Sequence, residues 1–164
     1  MIGLRATLRV RMAPSDVHYG GEVVDGARVL ALFGDLAAEI LVRLDGDEGI
    51  LRGYEQVDFA APVFAGDFIE ASAELVRLGS ESRQISFVAK KTITNLRGDS
   101  APSAATVLVE PLVVCRAMGT CHVPKELQRH ARELYMPALP AGPEPGTEPI
   151  ITPVPNVPSD PSEP

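Results

Sequence analysis

One segment restricts the fold of this chain more than any other. Residues 26–43, GARVLALFGDLAAEILVR, have the apolar periodicity of an α-helix. Their polar side chains form only a narrow stripe, made of Arg28, Asp35 and Glu39. A helix that is apolar on almost every side must be surrounded by other structure. A polar, glycine-containing loop at 13–25 precedes the helix, and the turn sequence DGDEG at 45–49 ends it.

The rest of the domain reads as strands. Leu4, Ala6, Leu8 and Val10 alternate with polar residues before the helix, which predicts a half-buried strand. Four strand-like segments follow the helix, at 50–59, 67–78, 82–94 and 105–120. Five antiparallel strands that curl round one helix form an α+β arrangement. A curled sheet leaves part of the helix uncovered, and a second copy of the chain would close it.

The composition changes sharply near the C-terminus. Residues 124–135, PKELQRHARELY, predict a short helix opened by Pro124. Residues 137–164 contain ten prolines and few apolar side chains, so they cannot build a core. We therefore expect a domain at 1–135 and a proline-rich tail at 136–164.

Charge and composition exclude several classes of partner. The net charge of -7 argues against nucleic acid, because phosphate binding needs a basic face. No apolar run approaches the roughly 18 residues of a membrane span. The N-terminus alternates like a strand and is not a secretory signal, so we expect a cytoplasmic protein. The two cysteines, in a C-x5-C-H spacing, indicate neither a disulfide framework nor a metal site.

Several motifs resemble one family of enzymes. Residues 57–91, VDFAAPVFAGDFIEASAELVRLGSESRQISFVAKK, are similar to acyl-CoA thioesterases of the hotdog fold. HYGGEVVDGARVLALFGDLA, DGDEGILRGYEQVDF and EPLVVCRAMGTCHVPKELQR more closely resemble the 3-aminobutyryl-CoA ammonia-lyases of lysine fermentation. Those are related to β-alanyl-CoA ammonia-lyase. The resemblance implies a hotdog fold, in which a curved antiparallel sheet wraps a long central helix.

The same resemblance implies a reaction. A 3-aminoacyl-CoA, such as 3-aminobutyryl-CoA, would lose ammonia reversibly to give an enoyl-CoA such as crotonyl-CoA. No cofactor is expected, since CoA is part of the substrate, and the enzyme would form a homodimer or a larger homo-oligomer. Two alternatives use the same fold: an acyl-CoA thioesterase, and a non-catalytic module that binds acyl-CoA.

The elimination needs a group that holds negative charge on the thioester oxygen. A helix N-terminus presents unpaired N–H groups and a partial positive charge, so Gly26 is the expected donor. Gly20 and Gly21 would let the preceding loop turn over the acyl group. Tyr19 would pack on the acyl chain or hydrogen-bond to it.

A base must also take the α proton, and the sequence leaves four candidates open. Asp25 is the expected N-cap of the helix, Glu55 is expected to share a strand face with Val57 and Phe59, and Asp35 interrupts the apolar helix. His18 lies on the glycine loop and would position the carbonyl or carry the amine proton. The phosphates of CoA need local cations, for which the candidates are Arg83, Lys90, Lys91 and Arg116.

Overall fold

The computed structural model describes residues 2–98, 101 and 103–129. The first part of the chain forms β1 (Arg5–Arg11), β2 (Val17–Tyr19), β3 (Val23–Val24) and helix α1 (Gly26–Asp45). The second part forms β4 (Ile50–Phe59), β5 (Phe68–Leu78), β6 (Ser82–Asn95) and β7 (Ala105–His122). The predicted order of a first strand, a long helix and four further strands is confirmed.

Five strands make one antiparallel sheet in the order β1-β5-β6-β7-β4. The predicted alternation in β5 is confirmed, since Ile69, Ala71, Ala73 and Leu75 are all buried. Helix α1 packs on this face, where Phe33 stacks on Phe87 of β6 with ring centroids 5.0 Å apart. The burial of this apolar helix face against the sheet favours folding.

The sheet covers one side of α1 only. Ala31, Asp35, Glu39 and Val42 lie on its exposed face. The sequence predicts a helix enclosed on nearly all sides, whereas the single chain leaves this side of the helix open. In the described chain, no helix is both long and apolar enough to cross a membrane.

The loop before α1 is more ordered than the sequence indicates. Strands β2 and β3 pair there in a small antiparallel hairpin. The turn between them contains Gly21 and Glu22 at positive φ, 71° and 64°. Glycine adopts this conformation freely, whereas glutamate rarely does. The hairpin places Val24 and Asp25 at the start of the helix.

The predicted C-terminal helix is wrong over its described part. Only a single 3-10 turn forms, at Lys125–Leu127, and Gln128 is extended. The amide of Gln128 donates hydrogen bonds to the carbonyl oxygens of Ser80 and Val123, which hold the chain against the β5–β6 hairpin. Residues 130–135 of that prediction, and the tail at 136–164, lie outside the described residues.

Candidate active site

A groove of about 590 Å³ opens at the N-terminal end of α1. We call it the N-terminal groove. It brings together three of the predicted site residues: Tyr19, Asp25 and Gly26. Its other lining residues are Val23, Val24, Ala27, Val29, Leu30, Phe59, Ala60, Ala61, Pro62, Val63 and Val114. The site is therefore an apolar groove with one helix terminus and few polar groups, as is typical of ligand pockets.

The predicted N-cap of α1 is confirmed, and it leaves hydrogen-bonding groups free at the helix terminus. Asp25 is the N-cap, and its Oδ1 accepts a hydrogen bond of 3.0 Å from the N–H of Ala27. Its second carboxylate oxygen accepts no hydrogen bond from the described residues, and the N–H of Gly26 donates none to them. An unpaired N–H at the positive end of a helix dipole can stabilise a developing oxyanion.

The opposite side of the groove is formed by residues 60–63, which we call the wall segment. It follows β4 and crosses to the loop before α1. The N–H of Ala60 donates to the oxygen of Val114 at 3.0 Å, and the N–H of Val24 donates to the oxygen of Val63 at 2.8 Å. Sequence reasoning missed these residues because none of them carries a reactive group.

Phe59 lies across the end of the helix. A Cβ atom built on Gly26 would lie 2.8 Å from two carbons of the Phe59 ring, closer than non-bonded carbons pack. Only glycine at position 26 leaves the ring in this place. Phe59 is 53% exposed in the single chain, so it forms part of the mouth of the groove.

The glycine loop contributes less to the groove than predicted. Tyr19 lines the groove, and His18 contacts the edge of its ring with centroids 4.8 Å apart. His18 itself is exposed and does not line the groove. Gly20 and Gly21 form the turn outside it. Of the predicted loop residues His18, Tyr19, Gly20 and Gly21, only Tyr19 lines the groove.

Glu55 does not share a face with Val57 and Phe59, so that prediction is wrong. Tyr54 lies opposite Gly119 and Gln56 lies opposite Met118, which leaves Glu55 without an opposite residue at a β-bulge. The bulge turns its carboxylate to the outer face of the sheet. There it is exposed and accepts hydrogen bonds from Gln84 and Thr120. The signal in the sequence was Gly53, because a glycine inside a strand often marks a bulge.

Asp35 is also apart from the groove. It lies nine residues beyond Gly26 on the exposed face of α1, which is about 13 Å along a helix axis. It therefore has no access to the helix terminus of its own chain.

Two of the four predicted CoA-binding cations are corrected by the structure. Arg83 is 2% exposed and pairs with Asp45 at 2.6 Å. Lys91 is 5% exposed and its Nζ lies 2.6 Å from Asp67. Both charges are buried and paired, so neither is available to a phosphate. Lys90 and Arg116 are exposed, on the outer face of the sheet.

A second cleft, which we call the arginine cleft, was not foreseen. It has a volume of about 660 Å³ and is lined by Arg11, Arg97 and Glu22 among others. The Arg97 guanidinium stacks 3.5 Å from the ring centroid of Phe64 and donates to the oxygen of Gly21. Glu22 and Val23 are neighbours in the chain, and Val23 lines the N-terminal groove. The two clefts therefore flank the same short segment.

The two cysteines are predicted to be inert in the folded protein. Burial raises the pKa of each thiol to about 11, and the charge of Asp58 contributes at Cys115. At pH 8, well below these values, the reactive thiolate is scarce. We expect a thiol reagent to label neither Cys115 nor Cys121 until denaturant is added, and then both. Rapid labelling of the native protein would contradict their burial.

Among the described residues, no three His, Cys, Asp or Glu side chains are grouped to hold a metal.

The chain is similar to known ammonia lyases in sequence and in fold. No protein-family model matches the chain. A 3-aminobutyryl-CoA ammonia lyase of Acetoanaerobium sticklandii is 52% identical over 126 residues, which are 77% of this chain and 99% of that protein. The β-alanyl-CoA:ammonia lyase from Clostridium propionicum superposes with a TM-score of 0.76 at 31% identity, covering 79% of this chain and 92% of its own.

A more distant match concerns the fold alone. A hexameric hotdog fold thioesterase of Campylobacter jejuni superposes with a TM-score of 0.59 at 20% identity. The match covers 75% of this chain and 86% of that one. The predicted hotdog fold is thus confirmed.

Proposed function

The chain belongs to the 3-aminobutyryl-CoA ammonia lyase family, and from this we propose that it eliminates ammonia reversibly from 3-aminobutyryl-CoA to give crotonyl-CoA. It is a carbon–nitrogen lyase that acts on a CoA thioester. The observation that best supports the chemistry is the N-terminal groove, where the terminus of α1 faces an apolar wall. Such a groove suits a short acyl group whose carbonyl oxygen must be polarised.

In the proposed mechanism the thioester oxygen accepts a hydrogen bond from the N–H of Gly26. A base removes the proton from C2, and the helix terminus stabilises the enolate that develops. The electron pair then forms the C2–C3 double bond. The C3–N bond breaks, and the ammonium group leaves as neutral ammonia with the bonding pair. The steps use only groups of the chain and of the substrate.

We assign the base to Asp25. Among the described residues that line the groove it is the only carboxylate, and one of its oxygens is not used by the helix cap. His18, Asp35 and Glu55 lie outside the groove of their own chain, so they would reach a substrate only in the groove of a second copy.

The change Asp25→Asn tests this assignment. Asparagine caps a helix about as well as aspartate, so the thermal midpoint should remain close to that of the unchanged protein. General base catalysis contributes roughly 100- to 10,000-fold, and we expect kcat to fall by about that factor. Normal turnover of Asp25→Asn, together with loss in Glu55→Gln or Asp35→Asn, would move the base to a second copy.

We propose that the protein is a homodimer or a larger homo-oligomer. Strand β4 is at the edge of the sheet and pairs only with β7 in the described chain. Val57 and Phe59 are exposed along it, as are Ala31, Asp35 and Val42 of α1. Isologous contacts between two copies would cover these surfaces. Sedimentation analysis should give a species of at least twice the chain mass, and a stable monomer would contradict this proposal.

We propose that the arginine cleft receives phosphate groups of CoA. Guanidinium groups bind phosphate through paired hydrogen bonds, and Arg11 and Arg97 both line the cleft. Arg97 lies 3.6 Å from Glu22, but both side chains are solvent-exposed, unlike the buried pairs of Arg83 and Lys91. The double change Arg11→Gln/Arg97→Gln should raise KM for crotonyl-CoA about tenfold and leave kcat within about threefold, the size of a lost charged hydrogen bond. The matched control is Arg5→Gln/Arg9→Gln, which removes two exposed arginines of β1, the strand that ends at Arg11. Equal effects of the two double changes would refute the assignment.

A further inference from the structure

A buried ion pair lies directly behind the wall segment. Lys91 of β6 and Asp67, just before β5, are both buried, with Nζ and Oδ2 at 2.6 Å. Desolvating two charges is costly, so a buried pair is weak evidence of a role in stability alone. The chain contains a second buried pair of the same kind, Arg83–Asp45, near the C-terminal end of α1. The two pairs differ in what else they hold.

The Lys91–Asp67 pair holds the backbone on both sides of Val63, which is the last residue of the wall segment. Lys91 Nζ donates to the oxygen of Pro62 at 2.9 Å. Asp67 Oδ2 accepts from the N–H of Phe64 at 2.9 Å. The charges therefore fix the two residues that flank Val63 in the chain.

Val63 transmits this position to the helix terminus. Its carbonyl oxygen accepts the hydrogen bond from the N–H of Val24 at 2.8 Å, and Val24 precedes the cap residue Asp25. Thr94 holds the other oxygen of Asp67 at 2.7 Å, so the carboxylate has little freedom to rotate. A continuous set of short contacts thus runs from β6 through the wall segment to the N-terminus of α1.

We propose that Lys91 is a positioning residue for the lyase reaction. With Asp67 it sets the separation between the wall segment and the N–H of Gly26, and so aligns the thioester carbonyl with its hydrogen-bond donor. A displacement of about 1 Å in such an alignment costs about 100-fold in rate. The inference rests on the proposed function, because it concerns the same groove and the same reaction.

The test compares two double changes that each neutralise one buried ion pair. Lys91→Met/Asp67→Asn removes the donor to Pro62, and its asparagine can still accept a hydrogen bond from Phe64. Arg83→Met/Asp45→Asn neutralises the other pair and does not touch the groove. Neither change leaves an unpaired buried charge, so both proteins should fold. Each is assayed for kcat and KM with crotonyl-CoA and ammonium, and for hydrogen exchange at the amide of Val24.

We expect Lys91→Met/Asp67→Asn to lower kcat at least tenfold with KM within threefold, and to speed exchange at the Val24 amide. Arg83→Met/Asp45→Asn should keep kcat within twofold and leave that amide unchanged. The inference is overturned if Lys91→Met/Asp67→Asn keeps kcat within twofold, or if both double changes lose activity equally. Absence of lyase activity in the unchanged protein is a different result, which rejects the proposed function itself.

Discussion

Gly26→Ala should lower kcat/KM for the lyase reaction by about 100-fold or more while the protein stays folded. The added Cβ would lie 2.8 Å from the ring of Phe59. The ring is the far end of a side chain and can swing away, so the change costs little stability. The moved ring and the new methyl group then occupy the place of the acyl group beside the N–H donor. Misplacement of this size costs about 100-fold in rate. Steady-state kinetics with crotonyl-CoA and ammonium measure it.

The matched control for this change is Gly34→Ala in the same helix. No atom lies within 4 Å of a Cβ built on Gly34. Alanine is favoured over glycine inside a helix by roughly 0.5–1 kcal/mol, so the control should be as stable as the unchanged protein or more so, with normal turnover. If Gly26→Ala instead keeps kcat/KM within a few-fold, the helix terminus is not where the thioester binds.

Arg83→Met should destabilise the protein by about 3–5 kcal/mol, the usual cost of leaving a buried charge without its partner. The guanidinium makes two hydrogen bonds to the carboxylate of Asp45, at 2.6 and 2.8 Å. It thereby joins β6 to the last residue of α1. Urea unfolding monitored by circular dichroism measures the loss.

The double change Arg83→Met/Asp45→Asn distinguishes a structural role of Arg83 from a role in CoA binding. It removes both partners, so most of the stability lost in the single change should return. KM for the CoA thioester should be unaffected in the double change, because Arg83 is not exposed to solvent. If the double change raises KM while stability stays normal, Arg83 binds CoA, and the purely structural role is refuted.

The order of elements could be predicted because it depends on local patterns. The alternation in β5 and the periodicity of α1 reflect which face of each element is buried, and neighbouring residues carry that information. The cap at Asp25 and the glycine that follows it were predicted for the same reason. These residues place the terminus of α1 before any long-range contact is known.

The burial of Arg83 and Lys91 could have been predicted from the alternation of β6, but the sequence analysis overlooked it. Arg83 and Lys91 are in step with Ile85, Phe87 and Ala89, all of which face the core. The alternation therefore placed both cations inward. Their acidic partners, Asp45 and Asp67, belong to other elements, so the sequence did not show that the charges are paired.

Glu55 shows that the face on which a strand residue lies cannot always be predicted from alternation. One unpaired residue in a strand reverses the face of every residue up to the next irregularity. The alternation around Glu55 is compatible with either face, and pairing with β7 decides between them. The wall segment was missed for another reason, since its role depends on backbone carbonyl groups and on where they are held.

The central claim is that the chain adds ammonia to an enoyl-CoA and removes it again. Crotonyl-CoA is incubated with the protein and ammonium while enoyl absorbance and free thiol are both followed. The claim predicts loss of the enoyl absorbance that requires ammonium, with no release of free CoA thiol. Release of thiol in proportion to the substrate consumed would indicate a thioesterase, and unchanged absorbance would indicate no lyase; either result would contradict the account.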